Sequence, residues 1–202
     1  MYAHVGAPPS GGEAWFKYLP GKTIVWWAIL GLSVLTDFLF VPVAFALYLE
    51  LRGINRNAML LATAFVGLFV VLDLAVTWSH YASMLILYSS YSRAADNVRR
   101  AAYVAAADYA SAVLASPLEI VYAIVTLSFG ILVISFVMLK GVFNKITAYL
   151  GLNKITAYLG LATGILGIVS VAGLSMTIIM NALFATAWVL FVGYRLYRLA
   201  QE

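Results

Sequence analysis

Between Ile24 and Leu49 the chain carries one charged side chain, Asp37, and comparably apolar stretches recur as far as Tyr194. The hydrocarbon core of a bilayer is about 30 Å thick, and a helix crosses it with about 20 consecutive apolar residues. Runs of this length therefore read as membrane-spanning helices, and they dictate the rest of the fold. Composition agrees: 64% of residues are hydrophobic and 10% charged, whereas a water-soluble domain needs roughly a quarter of its residues charged. The fold class expected is all-α, a polytopic transmembrane helical bundle with about five spans and one amphipathic helix outside the bilayer.

The first 22 residues, rich in Gly and Pro, predict a short irregular arm over 1–22, ahead of a single transmembrane domain over 23–202. The apolar run after Lys22 is too long for a cleaved signal peptide and lacks a small-x-small exit. Span one is expected over 24–49. Trp26 and Trp27 lie at one end and Tyr48 at the other, about 31 Å apart along a helix, which is the separation of two interfacial aromatic belts. The polar turn ELRGINRN offers Asn57 as a helix cap. Span two follows over 58–81, with Trp78 and Tyr81 marking its far interface and the apolar pattern continuing to Tyr88. An alanine-rich stretch over 93–115, with Asp96 ahead of Arg99 and Arg100, is helical in propensity but too polar to span. SPLE at Ser116 to Glu119 has the form of a capping box, with proline at the first helical position and Glu119 returning to Ser116. Span three is placed over 118–139. The apolar stretch from Ile155 to Leu190 is too long for one crossing, so a turn near Gly173 to Ser175 divides it into spans over 155–172 and 176–194.

Orientation follows from the basic residues. Arg52, Arg56, Lys140, Lys145, Lys154, Arg195 and Arg198 fall on one side, against Lys17, Lys22, Arg93, Arg99 and Arg100 on the other. Basic residues favour the cytoplasmic side, which predicts a multi-pass protein of the cell membrane with its N-terminus outside and its C-terminus in the cytoplasm. The net charge of +4 is small and dispersed, a pattern of headgroup contact that gives no ground for nucleic-acid binding. With no cysteine in the chain, disulfides, thiolate metal sites and cysteine nucleophiles are excluded.

The strings DFLFVPVAFALYLELRGINR, LDLAVTWSHY, RRAAYVAAADYASAVLASPL, AYLGLATGILGIVSV and FVGYRLYRL together resemble an uncharacterised family of small prokaryotic integral membrane proteins, one of the families known as domains of unknown function. The resemblance covers the chain beyond its N-terminal arm. It implies a polytopic helical fold and brings no activity, substrate or site residue with it. Proteins of this appearance carry one copy of the approach to span four. Here NKITAYLGL is written twice, over 144–152 and 153–161. Nine residues add about 13.5 Å of helix and turn its face by about 180°, so the two copies cannot share one register. The second copy runs on into ATGILGIVSV and is assigned to the span, the first to an extension before it. A tandem duplication tolerated in a loop, an artefact of sequence, and a repeat offering two binding registers all fit that pattern.

An ionisable side chain in lipid costs roughly 2.5–3.5 kcal/mol on insertion scales, so each one needs a reason. Asp37 lies ten residues beyond Trp27, about 15 Å into the bilayer, and five before Pro42, whose missing N–H frees the Phe38 carbonyl. It is a candidate proton or cation site. The alternative is a protonated side chain bonded to a neighbouring helix, with Thr36 as a further polar partner. Asp73 is placed about 7.5 Å inside Trp78 on the same arithmetic, roughly 8 Å from the depth of Asp37 and too far for a shared proton unless helix tilt closes the gap. Asp73, Thr77 and His80 share one helical face and form a candidate polar track, or else ordinary decoration of a helix end. Ser116 and Glu119 are assigned to the helix cap, and Asn181 to an interhelical hydrogen bond.

His4 and His80 are the only histidines, too few for bis-histidine haem or a multi-histidine metal site. No P-loop, GxSxG or HExxH motif is present. No enzyme, cofactor or metal is therefore expected. Small residues at Gly160, Gly164 and Gly167 serve close helix packing. They favour a non-catalytic protein that associates with itself or with a larger membrane complex, its partners being the lipid bilayer and further copies or subunits. The alternative is a transport component for a small solute, proton or cation that uses Asp37 and Asp73.

Overall fold

The computed structural model describes residues 8–142, 154–172, 175–199 and 201. Among these the regular elements are helical. They are α1 (Gly12–Tyr18), α2 (Thr23–Leu72), a π-helical stretch (Asp73–Trp78), α3 (Ser79–Arg93), α4 (Asn97–Leu114) and α5 (Pro117–Ile120). A second π-helical stretch (Val121–Val125), α6 (Thr126–Val142), α7 (Lys154–Val169) with a 3-10 turn (Ser170–Ala172), and α8 (Ser175–Leu199) complete the order. Among the described residues three segments are long and apolar enough to cross a membrane: Thr23–Arg93, Pro117–Lys140 and Lys154–Ala172. A shorter apolar stretch, Leu183–Tyr194, lies within α8. The first copy of the repeated nonamer and the centre of the expected turn, 173–174, lie outside the described residues.

The first long segment is two limbs. Asn55 has φ −154° and ψ 93° inside α2, and its side-chain oxygen accepts the Ala58 N–H at 3.1 Å. Asn55 thus caps the second limb, in place of the expected Asn57. A cap needs extended backbone and an N–H two or three residues ahead, and Asn55 meets both conditions. Ring pairs farther along have the limbs antiparallel: Phe40 meets Phe69 at 5.7 Å, and Trp26 stacks on Tyr81 at 5.5 Å. Pro42 lies inside the first limb without ending it.

The chain folds as two compact units. The first takes residues 1–37 and 72–119, and its core is aromatic: Trp15, Phe16, Leu19, Trp26, Ile29, Met84 and Leu85 are buried together with Ala107 and Ala110 of α4. The irregular arm predicted over 1–22 gives way to helix α1 across Gly12–Tyr18. Two glycines disguise that helix in the sequence. Gly11 turns into it with φ +89°, and a Cβ on Gly12 would lie 2.6 Å from the Asp108 nitrogen and the Val104 carbonyl oxygen. The arm is fastened there, with Gly12 N–H donating to Asp108 Oδ1 at 2.6 Å and Gly11 N–H to Ser111 Oγ at 2.8 Å. Trp26, expected in an interfacial belt, is 3% exposed in this core, whereas Trp27 is 44% exposed. Helix α4 starts at its Asp96 cap, which accepts the Arg99 N–H at 2.7 Å.

The second unit takes 38–71 and 120–202. Its core joins Leu47, Leu51, Met59 and Ala62 to Ile131, Ile134, Val137 and Met138 of α6, Ala157 of α7, and Trp188 and Val192 of α8. Helices α6 and α7 approach at glycines. A Cβ on Gly164 would stand 2.6 Å from Leu132 Cβ and 2.9 Å from the Ser128 carbonyl oxygen. One on Gly160 would overlap the Ser135 hydroxyl, and one on Gly167 the Ser128 side chain. Asn181 joins α8 to these helices by donating to the Thr163 carbonyl at 2.7 Å and to Ser128 Oγ at 3.4 Å.

Candidate functional site

Asp37 and Asp73 are 5% and 4% exposed, in a unit whose other buried polar side chains are Thr77 and Ser111 among the described residues. Both carboxylates accept from one indole: Trp78 Nε1 donates to Asp37 Oδ2 at 2.6 Å and to Asp73 Oδ2 at 3.1 Å. The two carboxyl groups are also within hydrogen-bonding reach of each other. The depth difference of roughly 8 Å expected from the sequence is therefore corrected. That arithmetic set Trp78 level with Trp27 at an interface. In the structure Trp78 faces the carboxylates, and it is Tyr81 that pairs with Trp26.

The π-helical stretch Asp73–Trp78 makes the contact. On a regular α-helix, residues five apart point about 140° away from each other, so Asp73 and Trp78 would face different ways. Widening to an i→i+5 repeat brings them into line, and π-helical turns of this kind recur at functional sites. Thr77, on the same stretch, is buried and donates to Glu119 Oε1 at 3.3 Å, and it is also within hydrogen-bonding reach of Asp73. One oxygen of the cluster, Asp73 Oδ1, is buried with no hydrogen-bond partner.

The other expected residues fall elsewhere. His80 turns from the track: its Nδ1 meets the Val76 carbonyl at 2.6 Å and its ring lies 6.0 Å from Tyr109. Thr36 is exposed and donates to the Leu32 carbonyl at 2.8 Å, which leaves it no part in the Asp37 site. Half of the capping box forms, Ser116 Oγ accepting the Leu118 N–H at 3.2 Å. The Ser116 N–H goes to the Val113 carbonyl, and the Glu119 carboxylate faces Thr77 in place of Ser116. Gly160, Gly164 and Gly167 lie at contacts inside the second unit.

Sequence reasoning missed two members of the cluster, Trp78 and Glu119. A signal for Glu119 was present, since it is the only acidic residue between Asp108 and Glu202 and stands at the start of a long apolar run. Trp78 carried none, because an i→i+5 register has no sequence signature to read.

Among the described residues the fold and the cluster define a helical protein with segments of membrane-crossing length and a buried pair of carboxyls. No family model, curated protein or solved structure matches the chain.

Proposed function

We propose that this is a multi-pass membrane protein in which Asp37 and Asp73 bind a proton or a small cation, as the working site of a transport component. The observation that carries the reading is the single Trp78 N–H shared by two carboxylates. Two like charges at such separation repel strongly in a medium that excludes water, so the pair needs a bound positive charge. Carboxyls kept inside apolar helices commonly mark ion and proton pathways. Five crossings are supported by the two antiparallel limbs within Thr23–Arg93, by Pro117–Lys140 and Lys154–Ala172, and by the shorter stretch Leu183–Tyr194. The basic residues favour an external N-terminus and a cytoplasmic C-terminus. A reporter at Gln201 is expected on the cytoplasmic side and one ahead of Lys17 outside; the same side for both would overturn that orientation. The accessory, self-associating reading drew on Gly160, Gly164 and Gly167, and contacts within the chain already fill those positions.

The test is equilibrium melting of the parent and of Asp73→Asn in mild detergent, over about pH 5 to 8 and with sodium chloride exchanged for choline chloride. A ligand that binds only the folded state shifts the melting temperature. The parent is expected to respond to proton or sodium and Asp73→Asn to lose that response. A parent indifferent to both ends the proposal.

A further inference from the structure

The Asp37 and Asp73 carboxyls are almost wholly buried, whereas Glu119 is only half-buried, in the first turn of the helix that follows α4. Thr77 stands between, donating to Glu119 and within reach of Asp73. Glu119, Thr77, Asp73 and Asp37 thus form one polar row on three helical elements, each within hydrogen-bonding reach of the next, and Asp73 Oδ1 is a buried acceptor left open within it. Its donors argue against a metal cation. A cation is held by lone pairs directed at it, but the Trp78 N–H and the Thr77 O–H direct hydrogens at the carboxylate oxygens. Among the described residues no group of three acidic or histidine side chains is placed to hold a metal ion.

We infer that the ligand of the Asp37–Asp73 pair is a proton and that it arrives through Glu119 and the Thr77 hydroxyl, with Trp78 positioning the pair. The inference rests on the transport reading above and names both the ion and its path. When Glu119 takes up a proton its bond to Thr77 reverses, the hydroxyl turning its hydrogen to Asp73 and accepting from Glu119; in the transfer step the Glu119 O–H then breaks as its proton passes to Thr77 Oγ1, and the hydroxyl gives up its own proton to Asp73. Thr77 is left neutral, one negative charge moves from Asp73 to Glu119, and no electrons change hands between groups. The cations of this unit are engaged at other places: Lys17 with Glu13, Lys22 over the Tyr18 ring, Arg93 with Ser89, Arg99 with Asp96 and Arg100 with the Ala94 carbonyl. On α4, packed against the π-helical stretch, Asp108 holds the Gly12 N–H and Tyr109 lies by His80.

The experiment is a stopped-flow pH jump on the full chain in phosphatidylcholine nanodiscs, read by tryptophan fluorescence, in sodium chloride and in choline chloride. The phase that Trp78→Phe removes is assigned to the site. That phase is expected to follow pH and ignore sodium, to vanish in Asp73→Asn, and to slow at least tenfold in Glu119→Gln and Thr77→Val with its endpoint retained. Thr77→Ser, which keeps the hydroxyl, is expected to keep the rate; it also covers the case in which Glu119→Gln does not fold. A sodium-dependent phase lost in Asp73→Asn overturns the proton assignment and leaves the transport reading standing. Parent-like rates in Thr77→Val overturn the path. A parent with no response to either ion removes the site and the inference together.

Discussion

The two units bury polar side chains of different kinds. In the second unit those that are buried among the described residues are neutral: Thr126, Ser128, Ser135, Thr156, Thr163, Ser170 and Asn181. Several return their hydroxyl to a carbonyl four residues back on the same helix, as Ser135 does to Ile131, Thr163 to Leu159 and Ser170 to Leu166. A hydroxyl satisfied within its own helix adds little bulk and lets a neighbouring helix come close, which is the use made of Ser135 beside Gly160. In the first unit the buried polar groups include two aspartates, which no local backbone bond can neutralise. The contrast separates polarity that serves packing from polarity that needs another purpose.

Removing an N–H from each unit sharpens that contrast most. Trp78 Nε1 is bonded to two carboxylates, whereas Trp188 Nε1 is buried without a partner. Both Trp→Phe changes lose similar volume, and hydrogen bonds to charged groups contribute about 1.5–3 kcal/mol. Trp78→Phe is therefore expected to destabilise by about that much more than Trp188→Phe, measured as melting in mild detergent. Equal losses would erase the difference between the units.

Overpacking comes next. Gly164→Ala meets Leu132 Cβ and the Ser128 carbonyl oxygen, and is expected to cost about 1–3 kcal/mol. Gly67→Ala, with nothing within 4 Å of its Cβ, is expected to gain up to about 1 kcal/mol through helix propensity. If thermal melts show Gly164→Ala as benign as Gly67→Ala, the helices do not approach as described. Asp37→Leu is expected to lose about 0.6–2 kcal/mol, while Asp37→Asn, which keeps an acceptor for Trp78, folds about as well as the parent. Smallest is Asn181→Leu at about 0.6 kcal/mol, an ordinary interhelical bond; a larger loss there than at Asp37 would reverse the ranking of the two regions.

Much of the helical layout was legible because apolar runs and caps are local. The helix expected over 93–115 begins at Asn97, because Asp96, read only as a charge partner of Arg99 and Arg100, is its cap; Asn181 makes the interhelical bond its polarity demanded inside an apolar run. Helix α1 was hidden because Gly11 and Gly12 read as loop formers, while the contact that requires them lies on α4, near Asp108 in the sequence. The site was half legible. Asp37, Asp73 and Thr77 stand out as polar groups in apolar helices, but their meeting depends on the register between two antiparallel limbs and on a π-helical turn. Neither leaves a periodic trace. Glu119 was assigned to a nearby cap because a local partner was visible and its distant partner Thr77 was not.

One indole N–H joins two titratable carboxyls, and the Trp78 indole reports on that junction directly. In a chain labelled with 15N at tryptophan, the Trp78 indole resonance is the one missing from Trp78→Phe. This resonance is expected to move as pH is varied over about 5 to 8, and the movement to disappear in both Asp37→Asn and Asp73→Asn while the resonance of Trp188 stays still. A Trp78 resonance that ignores pH, or that titrates unchanged after either aspartate is replaced, would contradict that junction.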